Sequence, residues 1–385
     1  MKTRLNKVLL LVVAIAALSG CASDDAIVMA PVPKVNSQFT PTTDWSTSIG
    51  SGVGQFYSKL TPDYAYGKLF VASRAGLVKA LDPKTGDTLW ENDLEKESTA
   101  RLAGGIAAAY GKIYIGSEDG YVFALNTDTG KVEWKTDVDG EVLAAPATDS
   151  NLVFVHTSRG MLIALDQTTG KEKWTVSTDV PTLTMRGDSS PVAQGGAVFW
   201  GTSSGRLAAA IINQGQLAWQ IPIGIPQGST EIDRLVDVDA SPLILGNMLY
   251  IVGIHGNLTA IDLRSGEAAW KRKYSSAEDM ATDGSRIFLV TDQDHVVAVD
   301  SRSGTKVWEN DQLQHRLVTA PVVIGDYVVV GDAEGYLYWI DRTTGNFVAE
   351  QEINSSGIAV PPVPLPDGYV VITRNGDIKK LTLPE

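Results

Sequence analysis

Short stretches in which apolar and polar residues alternate recur along almost the whole chain. Val78-Lys79-Ala80-Leu81 is one example, and its alternation has the two-residue period of a β-strand. Many of these stretches lead into Asp-x-x-Thr-Gly, a turn in which Asp accepts backbone hydrogen bonds and Gly takes the left-handed conformation. A tryptophan follows most of the turns. The pattern predicts an all-β protein built from one repeated antiparallel unit.

The repeat keeps a nearly constant register. A slot residue is followed after fourteen residues by a hairpin position, usually Gly, and after fourteen more by a tryptophan position. The slots of the first seven copies are Pro62, Ile106, Pro146, Pro191, Pro242, Met280 and Pro321. An eighth copy begins at Pro361 and ends before its tryptophan position, whereas Trp45 precedes the first copy as a stray repeat element.

The repeat length predicts the architecture. The tryptophan positions from Trp45 to Ala349 are about 43 residues apart, which suits a four-stranded propeller blade. We therefore predict an eight-bladed β-propeller of four-stranded antiparallel blades over residues 45–385. The strand near Trp45 is expected to complete the eighth blade and close the ring, because an open array would leave sheet edges exposed.

The N-terminus has the features of a targeting signal. Residues 1–20 combine three basic residues with an apolar run, the pattern of a secretory signal peptide. Leu18-Ser19-Gly20-Cys21 resembles the bacterial lipobox, in which the cysteine is lipidated, although a plain signal peptide would also fit. Ala22 stands where Asp would be expected for retention at the inner membrane, which by the same resemblance implies the periplasmic face of the outer membrane. Residues 21–44 are then a lipidated N-terminus and an extended tether.

Charge and cysteine content exclude several classes of function. Removal of residues 1–20 leaves 29 basic and 45 acidic side chains, a net charge of −16. Such a chain does not bind nucleic acid or anionic lipid through its overall charge, so membrane contact is expected through the lipid anchor only. Cys21 is the single cysteine, which rules out an intrachain disulfide and a Cys-rich zinc site.

Functional residues are expected where the repeat breaks. Two consecutive long segments between a tryptophan position and the next slot contain residues 181–188 and 232–239. In an up-and-down blade these links emerge on one face, and their apolar, Arg and carboxylate side chains are typical of a protein-contact surface. Alternatively, Leu183, Met185 and Leu235 pack beneath their own loops and Arg186 pairs with an internal Asp. The residues alone leave both interpretations open.

The units of the form Ala-Leu-Asp-x-x-Thr-Gly-x-x-x-Trp resemble the PQQ-type propeller repeat of quinoprotein dehydrogenases. Over essentially its whole length the chain is more similar to the B-component lipoproteins of the outer-membrane β-barrel assembly machinery. The stretches that carry this resemblance are Gln38–Lys59, Arg74–Asp82, Gly228–Ala240, Asn257–Glu267 and Gly331–Asp341. The resemblance implies a non-enzymatic scaffold that assists insertion of outer-membrane proteins.

The resemblance also implies a partner and a site. In that family the positions matching Leu183, Met185, Arg186, Asp237 and Asp239 contact the periplasmic POTRA domains of the barrel-forming subunit. Met185 replaces an apolar Leu, a substitution that we expect to be tolerated. We hypothesise that Arg186 and the two carboxylates form a polar frame around an apolar contact. A second hypothesis is that an exposed strand edge pairs by β-augmentation with the partner or with unfolded outer-membrane protein precursors.

Two alternative functions remain from the sequence. One is a PQQ-dependent dehydrogenase-like enzyme, and the other is a periplasmic propeller that binds carbohydrate or peptidoglycan. No catalytic motif supports the first, since Gly201-Thr202-Ser203-Ser204-Gly205 lies in a strand-to-hairpin segment rather than at a strand-to-helix elbow. The four histidines are dispersed along the chain. We predict no catalytic residue, no cofactor and no metal site.

Overall fold

The computed structural model describes residues 27–94 and 100–384, which form thirty-two β-strands in eight four-stranded antiparallel sheets. Neighbouring strands of a sheet are consecutive in the chain except at the ring closure. The eight-bladed β-propeller predicted from the repeat is confirmed. Within the described residues, no helix has the length and apolar character needed to cross a bilayer. The predicted signal peptide and Cys21 lie outside these residues.

The first four blades run from the centre of the ring outward in chain order. Blade 1 comprises β2 (Asp63–Ala65), β3 (Lys68–Ala72), β4 (Leu77–Leu81) and β5 (Thr88–Asp93). Blade 2 comprises β6 (Leu102–Ala109), β7 (Lys112–Ser117), β8 (Tyr121–Asn126) and β9 (Val132–Asp137). Blade 3 comprises β10 (Ala147–Asp149), β11 (Leu152–His156), β12 (Met161–Asp166) and β13 (Glu172–Ser177). Blade 4 comprises β14 (Val192–Gln194), β15 (Ala197–Gly201), β16 (Arg206–Ile211) and β17 (Gln216–Pro222).

The next three blades repeat this order, and the eighth takes its outer strand from the N-terminal part of the chain. Blade 5 comprises β18 (Leu243–Leu245), β19 (Met248–Ile251), β20 (Leu258–Asp262) and β21 (Glu267–Arg272). Blade 6 comprises β22 (Ala281–Thr282), β23 (Arg286–Val290), β24 (Val296–Asp300) and β25 (Lys306–Asn310). Blade 7 comprises β26 (Val322–Ile324), β27 (Tyr327–Gly331), β28 (Tyr336–Asp341) and β29 (Phe347–Glu352). Blade 8 comprises β30 (Val363–Leu365), β31 (Gly368–Ile372), β32 (Asp377–Thr382) and β1 (Thr42–Ser48).

The ring closes through β1. This strand is antiparallel to β32, with Trp45 opposite Lys380, and it forms the outer edge of blade 8. The predicted role of the Trp45 strand is therefore confirmed. Residues 27–41, before β1, contain no strand but contact blades 6 and 7.

The core is divided among the interfaces between blades. Eight buried apolar clusters each combine side chains of two adjacent blades, so every interface of the ring has one. The middle strands are the most buried: in β3 and β11, for example, every residue after the first is buried. Because each blade covers a neighbour on either side, no sheet has an uncovered face.

The repeated tryptophans join each blade to the next. In six cases the indole Nε1 donates a hydrogen bond of 2.9–3.2 Å to a backbone carbonyl in the β-turn of the following blade. The pairs are Trp45 with Pro83, Trp90 with Thr127, Trp134 with Gln167, Trp174 with Ile212, Trp270 with Ser301, and Trp308 with Arg342. The first of these pairs crosses the closure, so the eighth blade docks on the first like any other neighbour.

The turn glycine makes room for the indole ring. A Cβ atom placed on it would lie 2.3–2.7 Å from the tryptophan ring at Gly86, Gly130, Gly170, Gly215, Gly304 and Gly345. Such a distance is well inside van der Waals contact, so glycine is required for the ring to lie flat on the turn. Gly266 occupies the same turn position with φ +72°, yet nothing lies within 4 Å of its Cβ direction. The preceding tryptophan, Trp219, therefore does not cover that turn.

Comparison of the two kinds of turn distinguishes two effects of replacing the turn glycine: a steric clash with the indole ring and strain in the backbone. Gly130 and Gly266 both have positive φ, so alanine should be strained at either position. Only Gly130 also faces a tryptophan ring, Trp90. We therefore expect G130A to lower the free energy of unfolding by about 1–3 kcal/mol more than G266A. Urea unfolding of both variants measures this difference, and equal losses would contradict the role of the indole contact.

Candidate protein-binding site

The structure brings the two long irregular segments together. Residues 178–191 connect β13 to β14, and residues 223–242 connect β17 to β18; we call them the docking loops. The backbone N–H of Met185 donates to Asp237 Oδ1 at 2.9 Å, and Ser189 Oγ donates to the carbonyl of Ala240 at 3.0 Å. Both loops connect an outer strand to the next inner strand, so they lie on one face of the ring, which we call the docking face.

The docking loops expose apolar side chains. Leu183 is 44% exposed and Met185 37% exposed, and Ile225 and Ile232 are more exposed than either. Leu183 and the half-buried Leu235 line a cavity of about 330 Å³ between the two loops. Leu183 and Met185 thus remain available at the surface, as a protein-contact site requires, rather than packed beneath their own loops.

Arg186 belongs to a row of ion pairs across the docking face. Its Nη1 lies 2.9 Å from Glu141 Oε2, and its Nη2 lies 3.6 Å from Glu118 Oε1. Glu118 also accepts two hydrogen bonds from Arg74, at 2.9 and 2.7 Å, and the Arg74 guanidinium lies 3.7 Å above the ring of Phe56. The pair of Arg186 with Glu141 is partly exposed, and pairs of this kind contribute little to stability, so Arg186 can exchange Glu141 for a carboxylate of another protein.

The two aspartates lie below the exposed side chains. Asp237 is 1% exposed and Asp239 is also buried, so neither surrounds the apolar contact at the surface. Asp237 instead holds the backbone of Met185 from beneath. Gly187 lies close to the other carboxylate, because a Cβ placed on Gly187 would be 2.5 Å from Asp239 Oδ2. In this geometry the carboxylates shape the docking loops, while Arg186 is the polar group that a partner can reach.

Lys59 is a functional candidate that the repeat analysis did not single out. It lies in residues 49–62, the segment that connects β1 to β2, and is half-buried. Its Nζ donates to the carbonyls of Asp188 at 3.4 Å and of Asp239 at 3.0 Å, one in each docking loop. A single lysine from the N-terminal part of the chain therefore links the two loops. Two features of the sequence include Lys59: it ends one of the stretches that carry the family resemblance, and it lies in another long segment between a tryptophan position and a slot.

Burial controls the charges beneath the loops. Burial raises the pKa of Asp188, Asp237 and Asp239, and for Asp237, where the charge of Asp239 adds to it, the pKa is about 6. Burial lowers the pKa of His156 to about 4, so its imidazole is neutral near pH 7. Its Nδ1 lies 3.1 Å from the carbonyl of Ser189, to which it donates a hydrogen bond.

A central cavity opens next to the docking loops. Its volume is about 370 Å³, and its lining includes Met185, Tyr57, Lys59, Glu278 and Leu317. Burial raises the pKa of Glu278 to about 7. Among the described residues no group of three or more His, Cys, Asp or Glu side chains could hold a metal ion. The docking face thus combines an apolar, partly aromatic surface with buried carboxylates on loops whose backbone carbonyls are bound by Lys59.

The sequence of the chain is similar to those of known proteins over its whole length. A family model described as outer membrane protein assembly factor BamB matches residues 74–310 and 277–360. A protein of that name from Vibrio cholerae is 65% identical over 384 residues, with full coverage of both chains. The chain belongs to the BamB family. The BamB of Escherichia coli strain K12 is 44% identical, with 95% of this chain and 96% of that protein covered.

Solved structures agree with the family assignment. The crystal structure of BamB from Moraxella catarrhalis has a TM-score of 0.80 at 25% identity and covers 89% of this chain and 100% of that chain. A quinohemoprotein alcohol dehydrogenase from Comamonas testosteroni has a TM-score of 0.71 at 14% identity, covering 90% of this chain and 78% of that chain. The second similarity is one of fold, because its sequence identity is too low to indicate a shared activity.

Titration of Asp237 gives a pH test of the buried carboxylate. Between its ordinary pKa of 3.8 and about 6, the unfolded chain releases this proton while the folded protein retains it. Stability from this group therefore falls as the pH rises through that range and is constant above it. The free energy of unfolding of D237N relative to wild type should thus increase by up to about 3 kcal/mol from about pH 4 to pH 7.

Urea unfolding at a series of pH values measures that difference, and D166N is the control. The pKa of Asp166 is lowered to about 2, mainly by the hydroxyl of Thr169, so its contribution changes only below its ordinary value of 3.8. The difference between D166N and wild type should therefore stay constant from about pH 5 to pH 7. A D237N difference that is equally constant would contradict the buried, ionisable state of Asp237.

Lys59 can be tested by the order of the loops that it contacts. K59M removes both hydrogen bonds to the docking loops and the positive charge that favours ionisation of Asp188 and Asp239. We expect faster amide exchange at residues 183–189, measured by hydrogen–deuterium exchange. K131M, in an exposed turn on the opposite face, is the control and should leave this exchange unchanged. Identical exchange in K59M and wild type would show that Lys59 does not hold the loops.

Proposed function

We propose that this protein is a lipid-anchored, non-enzymatic scaffold that binds the POTRA domains of the barrel-forming subunit at the outer membrane. The observation that carries the proposal is the exposed Leu183–Met185–Arg186 surface on loops that the ring holds rigidly. The relatives are named outer membrane protein assembly factors, which supports a role in assembly of outer-membrane proteins. Cys21, outside the described residues, supplies the proposed anchor on the periplasmic face.

The exposed surface has the composition of a binding centre. Leu183 and Met185 provide an apolar area that is desolvated on contact, and Arg186 provides a guanidinium at its edge. Interface energy usually concentrates in a few well-packed side chains, among which Arg is enriched, surrounded by contacts that contribute little. We infer that a carboxylate of the partner displaces Glu141 or Glu118 from Arg186 when the complex forms. The buried Asp237 and Asp239 act indirectly, by fixing the loop that carries these side chains.

The pre-formed state of the loops favours binding. Met185, Ser189 and Asp188 are already joined to the second docking loop or to Lys59 by hydrogen bonds. Little backbone order therefore has to be gained when the partner binds, and the associated entropy loss is small. A scaffold function is consistent with this rigidity, since its task is to present a surface rather than to close around a substrate.

Reversal of the charge of Arg186 tests the site. R186E replaces the guanidinium by a carboxylate beside Glu141 and Glu118, so it should repel the partner's acidic group and abolish co-purification with the POTRA domains. The side chain is exposed, so we expect the free energy of unfolding to change by no more than about 1 kcal/mol. R302E makes the same charge change in a turn on the opposite face and should bind like wild type.

A second variant separates the apolar contact from charge. L183S removes exposed apolar area without altering charge, and we expect weaker POTRA binding by titration calorimetry with an unchanged melting temperature. Wild-type affinity of both R186E and L183S would reject this surface as the partner site. A large fall in the melting temperature of either variant would instead assign that side chain to packing.

A further inference from the structure

The segment before β1 is attached to the ring near its N-terminal end, at Ala30. The N–H of Ala30 donates to the carbonyl of Gln314 at 2.9 Å, and Arg316 Nη1 donates to the carbonyl of Ala30 at 2.6 Å. Gln314 and Arg316 lie in residues 311–321, which connect β25 to β26. This connection runs from an outer to an inner strand, so it lies on the docking face. The adjacent Leu317 lines the same central cavity as Met185.

Arg316 is held in place for this contact. Its side chain is 1% exposed, and its Nε donates to Asp332 Oδ2 at 2.7 Å. The hydroxyl of Tyr338 donates to the same carboxylate oxygen at 2.8 Å, and Nη2 of Arg316 contacts Glu334. A buried guanidinium needs acceptors for its N–H groups, and the carbonyl of Ala30 is one of them. The ring thus presents a fixed donor to the backbone of the N-terminal segment.

Further contacts attach the C-terminal part of the segment, nearest β1, to blade 7. The N–H of Gln38 donates to the carbonyl of Val348 at 2.8 Å, and the N–H of Glu350 donates to Ser37 Oγ at 3.2 Å. Phe39 packs against Tyr327, with ring centroids 5.1 Å apart, and against Trp339, at 6.0 Å. Val32 joins the apolar cluster between blades 6 and 7.

The position of this segment compensates for a gap in the repeat. Ala349 occupies the tryptophan position of blade 7, and blade 8 has no turn before its outer strand, because β1 comes from the other end of the chain. In the described residues, the interface between blades 7 and 8 therefore lacks the contact between a tryptophan and a turn. Phe39 belongs to the apolar cluster that these two blades share. The segment is thus part of the packing of the ring.

We propose that residues 30–39 form a strap that makes the lipidated N-terminus leave the ring at the docking face. This inference rests on the proposed anchor at Cys21. The surface to which the anchor attaches the protein is the lipid bilayer. Ala30 follows Cys21 by nine positions in the chain, so the anchor lies at most about 30 Å from the edge of the docking face. The bilayer and the docking loops are therefore kept on the same side of the disc.

Without the strap, the N-terminal chain would leave the ring from the opposite face. Thr42 pairs with Thr382, at the end of β32 far from the hairpin that precedes Asp377, so β1 begins on the face opposite to the docking loops. A chain released up to Thr42 would leave from that opposite face and could extend about 70 Å to Cys21. The strap thus shortens the reach of the anchor more than twofold and determines which face is turned to the membrane.

Distances between spin labels test the strap independently of lipidation. The chain is prepared from residue 21 onward with Cys21→Ser, and labels are placed at Ile27→Cys paired with Asp311→Cys on the docking face or Thr343→Cys on the opposite face; all three positions are exposed. We expect a short, narrow distance distribution for 27–311 and a longer, narrow one for 27–343. Broad distributions for both pairs in the otherwise unaltered chain would overturn the proposal.

Substitutions confined to the strap provide the second arm. Val32→Ser combined with Phe39→Ser should broaden both distributions while β1 remains paired with β32. Val28→Ser is the control, because Val28 is 74% exposed in the same segment, and it should leave both distributions narrow. Narrow distributions in the double variant would overturn the role of these contacts. If the double variant fails to fold, the exchange rate of the Ala30 amide in the unaltered chain decides, since it should be much slower than that of Ile27.

Acylated protein in vesicles connects the strap to the membrane. A donor dye at Asp311→Cys should be quenched more by acceptor-labelled phosphatidylethanolamine than one at Thr343→Cys, and the strap double variant should lose this difference. Equal quenching in the unaltered chain would overturn the proposed orientation. Failure of the full-length protein to bind vesicles better than its Cys21→Ser form would reject the anchor, and so the proposed function, while the spin-label distances would still decide whether the strap exists.

Discussion

The ring depends on the contact between an outer-strand tryptophan and the turn of the next blade. The indole ring covers a glycine that no other residue could replace without a clash, and its Nε1 bonds the carbonyl of the same turn. At six of the eight interfaces between blades in the described residues, this contact holds one sheet against the turn of the next. Because the relation is cyclic, the loss of one interface would expose apolar surface on two blades. The Trp45 contact with Gly86 shows that the closure uses the same interaction as the rest of the ring.

A rigid ring allows the connecting segments to vary without loss of the fold. The docking loops are long and irregular, yet they are fixed by hydrogen bonds to Asp237, Ala240 and Lys59. The buried side chains of Val236 and Val238 add apolar packing to the second loop. Such polar fixation places carboxylates and a lysine in a partly desolvated space, which raises the pKa of the acids. The apolar side chains remain at the surface, where they are available for binding. The strap applies the same principle, since buried Arg316 holds a backbone carbonyl.

Part of the candidate site could be predicted from the sequence. Leu183, Met185 and Arg186 stand in segments that break the repeat, and the up-and-down connection of a blade places such segments on one face. The burial of Asp237 and Asp239 could not be predicted, because it depends on how closely the two loops approach each other. Lys59, Glu118 and Glu141 lie 45 or more residues before their partners in the docking loops, so only the packing of the blades brings them to the site.

The pattern of residues along the chain is enough to predict the all-β class, the number of blades, the closing strand and the location of the irregular segments. These features follow from local patterns, namely strand alternation, turn residues and a constant spacing, which repeat often enough to be read without coordinates. The tertiary structure alone decided which side chains of the irregular segments are exposed, which residues tie the loops together and how residues 30–39 lie on the ring. Those outcomes depend on hydrogen bonds to backbone carbonyls and on contacts between distant blades. Any residue has a backbone carbonyl, so no pattern of side chains along the chain reveals which one is used.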